Sequence, residues 1–167
     1  MNYLKWAIFI FLTFLVQTQL SIFNTSLNLA VVLAYSFALK SLPRSQEAGY
    51  FGSRAEIKST VFGAGIGLLE DILAGSIIGP GFFSKGLIGF ISVVAFTEVV
   101  FKWTPFLGVI AMIILTVIDG IIVTGLRFIF TNININMIDT LKTIFIHAIV
   151  NIPFGIIFKP SGFKLTD

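Results

Sequence analysis

The sequence predicts an all-α integral membrane protein, a six-transmembrane-helix bundle forming one domain over residues 1–167, and three observations lead there. Hydrophobic side chains make up 56% of the 167 residues and charged ones 11%, against about 25% charged residues in soluble domains. Mean hydropathy is +1.00. The apolar residues fall into runs near the length that crosses ~30 Å of hydrocarbon, and polar or basic residues collect in the connections between them.

The first predicted helix covers about residues 4–23. Lys5 precedes its apolar stretch as in a signal peptide, but no small-x-small cleavage site follows, so it reads as a retained span. The second, about 25–41, is the shortest. Leu27 to Leu39 would rise only ~20 Å as a helix, so this span must recruit flanking Ser and Asn or sit in a thinned bilayer. The third and fourth are expected at about 60–78 and 83–101, the fifth at 105–126 and the sixth at 141–158. Pro105 follows the turn FKWT and stands where a helix would begin, a position that tolerates its missing N–H. The polar, basic stretch 40–58 reads as a solvated loop or a partner contact. The alternating TNININM at 131–137 suits a short extended segment, and Asn24-Thr25-Ser26 is a weak glycosylation sequon.

Loop charge sets the orientation. With both termini cytoplasmic, Lys5, Lys40, Arg44, Arg54, Lys58, Lys102, Lys159 and Lys164 fall inside, while Lys85, Arg127 and Lys142 fall outside. Dropping the second span separates the charges less well and translocates Lys5. Trp6, Trp103, Tyr3 and Tyr50 then lie at or near the cytoplasmic interface, where amphipathic rings settle.

Composition narrows the chemistry. Cysteine is absent and histidine occurs once, which rules out thiolate and multi-histidine metal sites. A net charge of +3 carried by loops describes topology, with no nucleic-acid footprint. GAGIG at 63–67 is out of step with a dinucleotide fingerprint, and neither a Walker A nor a G-x-S-x-G sequence occurs. No catalytic residue, cofactor or metal ligand is therefore assigned, although a serine, His147 and Asp119 could be combined on paper.

Glu70 and Asp71 stand together inside the third apolar run, where each carboxylate costs ~2.5–3.5 kcal/mol if it faces lipid. Gly63, Gly67, Asp71, Gly75 and Gly79 recur every fourth residue and would form one ridge on which a helix can approach closely. Glu70, ~100° around the helix, points elsewhere. Two readings stay open: a packing stripe with one buried acid, or a site where Asp71 meets a ligand or partner. Further intramembrane polar residues are Asp119, the best partner for the third helix, then Glu98, and the pair His147 and Asn151 one turn apart. Arg127 closes the fifth helix at the outer interface.

On these residues the sequence resembles the MreD family, the small membrane subunits of the bacterial rod-shape system. The resemblance rests on SLNLAVVLAYSFAL in the second run, on GLLEDILAGSIIGPGFF in the third, and on a closing helix with Asn151 and Pro153 before a basic tail. Gly67, Leu68, Asp71, Gly75 and Gly79 match the family pattern G-L-x-x-D, then S-G or A-G, then x-x-x-G. The longer 40–58 connection and Pro80-Gly81 followed by two Phe depart from it.

The resemblance implies a non-catalytic subunit of the bacterial inner membrane that binds the bitopic protein MreC. It would thereby support a SEDS glycosyltransferase and a class B penicillin-binding protein in lateral peptidoglycan synthesis and cell shape. It also implies an architecture like the substrate-binding S-components of energy-coupling-factor vitamin transporters. That relation supplies a second reading, a small-molecule-binding transport subunit with Asp71, Asp119, His147 and Asn151 lining an outward cavity. On the scaffold reading, Gly67→Leu weakens partner recovery while the protein still inserts. Membrane lipid is an expected contact, and homodimerisation stays open.

Overall fold

A computed structural model describes residues 3–19, 21–22, 25–42, 54–99, 103–131 and 136–160. Arg44, Tyr50, Lys102, Lys164, the sequon asparagine Asn24 and residues 132–135 of the alternating segment lie outside the described residues, as do the side chains of Tyr3 and Glu98.

The described residues form six α-helices: α1 (Tyr3–Gln19), α2 (Ala30–Ser41), α3 (Arg54–Leu73), α4 (Pro80–Val94), α5 (Pro105–Thr131) and α6 (Met137–Ile157). One turn of π-helix, Ala95–Val99, extends α4. Among the described residues, three segments are long and apolar enough to cross a membrane: Pro80–Thr97, Pro105–Thr131 and Met137–Ile157.

The second helix is a core element. It begins at Ala30, later than the expected 25, because Ser21–Ile22 and Thr25–Ser26 form a short antiparallel pair instead. Its 12 residues rise about 18 Å, well short of ~30 Å of hydrocarbon. The interior encloses it nearly completely: Ala30, Val31, Leu33, Ala34, Tyr35 and Ala38 are all buried. Leu33 and Ala30 pack with Phe14 of α1 and Ile66 of α3, while Val31, Tyr35 and Leu39 join Ile88 and Val93 of α4 and Met112 and Leu115 of α5.

The third helix is shifted relative to expectation. It starts at Arg54, so residues 54–58 belong to it and not to the preceding loop; Glu56 in the first turn is favoured by the helix dipole. It stops at Leu73 because the chain turns left-handed at Gly75 (φ 59°), the usual conformation just past a helix end. Gly79 has φ 138°, a region open essentially to glycine. Gly75 and Gly79 therefore leave the expected helical ridge and make the turn into α4. Pro80 sits at the first position of α4, which brings that helix forward from the expected 83.

What remains of the ridge packs inside the chain. A Cβ on Gly63 would collide with the carbonyl oxygen of Lys85, and one on Gly67 with that of Gly81. Reciprocally, Gly89 of α4 lies against the Ser59 carbonyl. The antiparallel α3–α4 pair is thus joined backbone to backbone, as small residues allow. Gly108 and Gly155 bring α5 and α6 together in the same way.

Basic residues mark one end of the bundle. Lys40 lies over the Trp6 ring (4.7 Å) and Lys159 over Trp103 (5.6 Å), cation–π contacts that tether both side chains. Trp6 also packs edge-on against Phe37 and Phe62, and Phe9 against Phe158. Ser41 bonds Ser59 here, which places the start of α3, with Arg54 and Lys58, at the same end. Arg127 and Lys142 lie toward the opposite end. Lys85, expected with them among the outer charges at the start of the fourth helix, is instead 1% exposed within α4, a correction.

Candidate functional site: a charged floor beneath a cavity

The two neighbouring acids of α3 part ways, as a ~100° step around a helix requires. Both serve α4. The Asp71 carboxylate accepts the backbone N–H groups of Gly79 (2.9 Å), Gly81 (3.1 and 3.0 Å to its two oxygens) and Phe82 (3.3 Å). These are among the amides that a helix start leaves without internal partners, and an anion there also meets the positive end of the dipole. Gly79, at the cap position, has no side chain to do this, so the cap comes from the preceding helix. A Cβ on Gly81 would meet an Asp71 carboxylate oxygen at 2.6 Å. Asp71 is 1% exposed and its negative charge is held by backbone donors.

Glu70 faces α1 and the second turn of α4. Its Oε1 accepts from the Gln17 amide (3.1 Å) and its Oε2 lies 2.6 Å from Lys85 Nζ. Gln17 in turn accepts the Leu29 N–H (3.1 Å), so one side chain of α1 caps α2 and steadies Glu70. Lys85 also reaches Asp119 of α5, at 3.1 Å to Oδ1 and 3.2 Å to Oδ2. Asp119 further accepts from Asn28 Nδ2 (2.6 Å) and from the Ser84 hydroxyl. The result is a Glu70–Lys85–Asp119 triad joining α3, α4 and α5. Asp119 was expected to partner the third helix; its contacts are instead with Ser84 and Lys85 of α4 and with Asn28, and Lys85 links it onward to Glu70 of α3.

Asn151 of α6 donates to the Asn28 carbonyl (3.3 Å) and to the Thr116 hydroxyl (3.2 Å). It ties the loop before α2 to α5 and α6 immediately beside the triad.

Above the triad lies a cavity of about 790 Å³. Its walls come from the ends of α1, α3 and α5 and the starts of α4 and α6. Glu70, Lys85, Asp119 and Asn28 line its inner part, Arg127, Asp139 and Asn136 line it where α5 ends and α6 starts, and His147 adds to the α6 wall. Among the expected polar residues, Glu70, Asp119 and His147 meet around this space; Asp71 and Asn151 are not part of its lining. Among the described residues no group of three or more His, Asp and Glu side chains is placed to hold a metal ion.

Sequence reasoning missed Lys85, Asn28, Ser84 and Gln17. A signal for Lys85 was present: two acids within apolar runs require a nearby cation, and SK interrupts the run GFFSKGLIGF. Starting the fourth helix at 83 placed Lys85 at a helix end and concealed its role. Comparison of the chain with family models, with curated proteins and with solved structures finds no match.

Proposed function

We propose that this chain is a scaffold subunit of the MreD type, a non-catalytic six-helix protein of the bacterial cytoplasmic membrane. It binds the bitopic protein MreC and, through it, supports the SEDS glycosyltransferase and class B penicillin-binding protein that build lateral peptidoglycan. The observation that carries this reading is the use made of the residues of the resemblance. Gly67, Asp71 and Gly79 all serve to lock α4 onto α3, an architectural use that suits a rigid platform. The gathering of Lys5, Lys40, Arg54, Lys58 and Lys159 at one end supports termini on the cytoplasmic side.

Because Gly67 is covered by α4, its replacement by leucine breaks the fold before it tests a partner. The informative experiment is affinity purification of the intact protein from its native host in mild detergent. A stoichiometric bitopic membrane protein in the eluate is the expected result. Folded, monodisperse protein that repeatedly elutes without one refutes the scaffold reading.

The cavity favours a second reading, a small-molecule-binding subunit of a transporter. Its volume falls within the ~300–1,000 Å³ of ligand pockets, and polar and charged side chains, Glu70, Lys85 and Asp119 among them, line it beside Phe14, Leu27 and Val123.

A further inference from the structure

The floor of the cavity carries an unbalanced charge. With Glu70, Lys85 and Asp119 ionised, the triad sums to −1. The Asp119 and Lys85 side chains are 0% and 2% exposed, so solvent does little to dissipate it, and a buried charge lacking a full counterpart is costly.

The hydrogen bonds locate the excess. Both oxygens of Asp119 are occupied by Asn28, Ser84 and Lys85. The Lys85 ammonium is divided between two acids. Glu70 differs: its side chain keeps 16% exposure, and among the described residues its Oε1 accepts one bond, from Gln17. Its Oε2 is enclosed and taken up by Lys85 at 2.6 Å, which leaves Oε1 as the oxygen with room for a further donor. A carboxylate offers about four lone-pair sites, so Glu70 retains acceptor capacity where it lines the cavity.

Among the described residues the other permanent cation of the lining is Arg127. Arg127 lies two turns beyond Asp119 on α5, about 12 Å along the axis, and it shares the far part of the cavity with Asp139 of opposite sign. The floor thus presents a spare acceptor and net negative charge, a surface that repels carboxylates and phosphates.

We propose that the cavity binds a small organic ammonium, a primary amine whose –NH₃⁺ group seats on the partly exposed carboxylate of Glu70. Three N–H donors and no acceptor match what the floor leaves unfilled. The hydrocarbon part of the ligand packs against Phe14, Leu27 and Val123. This inference deepens the ligand-binding reading and rests on it; it is independent of the scaffold reading.

The test uses purified full-length protein in mild detergent, titrated calorimetrically with n-butylammonium and butane-1,4-diammonium, with butyrate and n-butanol as matched anion and neutral probes. Saturable binding of the two ammonium probes alone is expected. Glu70→Gln should weaken it by about ten- to a hundredfold, the value of one hydrogen bond to a charged group, with elution profile and helical circular dichroism unchanged. Should that variant fail to fold, Thr124→Phe narrows the cavity while leaving the triad intact, and should abolish binding. Equal affinity for n-butanol, or unaltered ammonium binding by folded Glu70→Gln, overturns the cationic assignment but leaves the cavity a ligand site. Binding of none of the four probes overturns the assignment and the ligand-binding reading with it.

Discussion

Replacing Lys85 by methionine keeps the length of the side chain and removes its charge, leaving Glu70 and Asp119 facing each other across an enclosed space. Nζ lies 2.6 Å from Glu70 and 3.1 Å from Asp119. At an effective dielectric of about 20, such separations correspond to gross attractions of about 6 and 5 kcal/mol. The desolvation of three charges opposes most of this, and removing one partner of a buried pair typically costs about 3–5 kcal/mol. Lys85→Met should therefore shift the unfolding equilibrium by roughly two to three and a half orders of magnitude. The assay is reversible unfolding in mixed detergent micelles, followed by circular dichroism. The triple replacement Glu70→Gln, Lys85→Met, Asp119→Asn is the essential companion, because it removes all three charges together. It should recover most of the loss, since neutral groups of similar shape avoid the stranded charges. Lys85→Met within ~1 kcal/mol of the wild type, or a triple variant as unstable as the single one, would refute the account of the triad.

Asp71→Ala leaves the Gly79, Gly81 and Phe82 amides without their acceptor and should cost about 2 kcal/mol or more in the same unfolding assay, the upper range for lost caps. Gly67→Ala should destabilise by about 1–3 kcal/mol through overpacking against Gly81. Gly65→Ala, with nothing within 4 Å of the added methyl, should gain about 0.5–1 kcal/mol; equal effects at the two sites would show that α3 and α4 are not in backbone contact. Gln17→Leu removes both a cap of α2 and a donor to Glu70. A double-mutant cycle with Glu70→Gln should give a coupling of at least ~0.5 kcal/mol, and strict additivity would argue against the shared contact.

Helix type, number and order were legible from the sequence, because runs of apolar residues separated by charge and turns constrain any chain in which backbone polar groups must pair internally. So was the demand that Asp71 be covered at short range. An aspartate within an apolar run is tolerated only with donors nearby, and α4 supplies them. Helix boundaries were less legible. The four-residue spacing of Gly63, Gly67, Gly75 and Gly79 fits a helix ridge and a left-handed turn equally well, and periodicity alone does not separate them.

Tertiary structure alone decided what each polar residue meets. Asn28 and Asp119 stand 91 residues apart, and Asn28 and Asn151 stand 123 apart; no local pattern encodes such pairings. The role of Lys85 turned on where α4 begins, since a three-residue shift in a helix start moves a lysine from a terminus to the second turn. The short α2 became a core helix because α1, α3, α4 and α5 close around it, a consequence of packing that its own composition does not reveal. Sequence therefore fixed which groups needed partners, through the high cost of leaving a charge or an amide unpaired in an apolar interior. The fold chose the partners, because hydrogen bonds and ion pairs act only over a few ångströms and only folding brings distant segments that close.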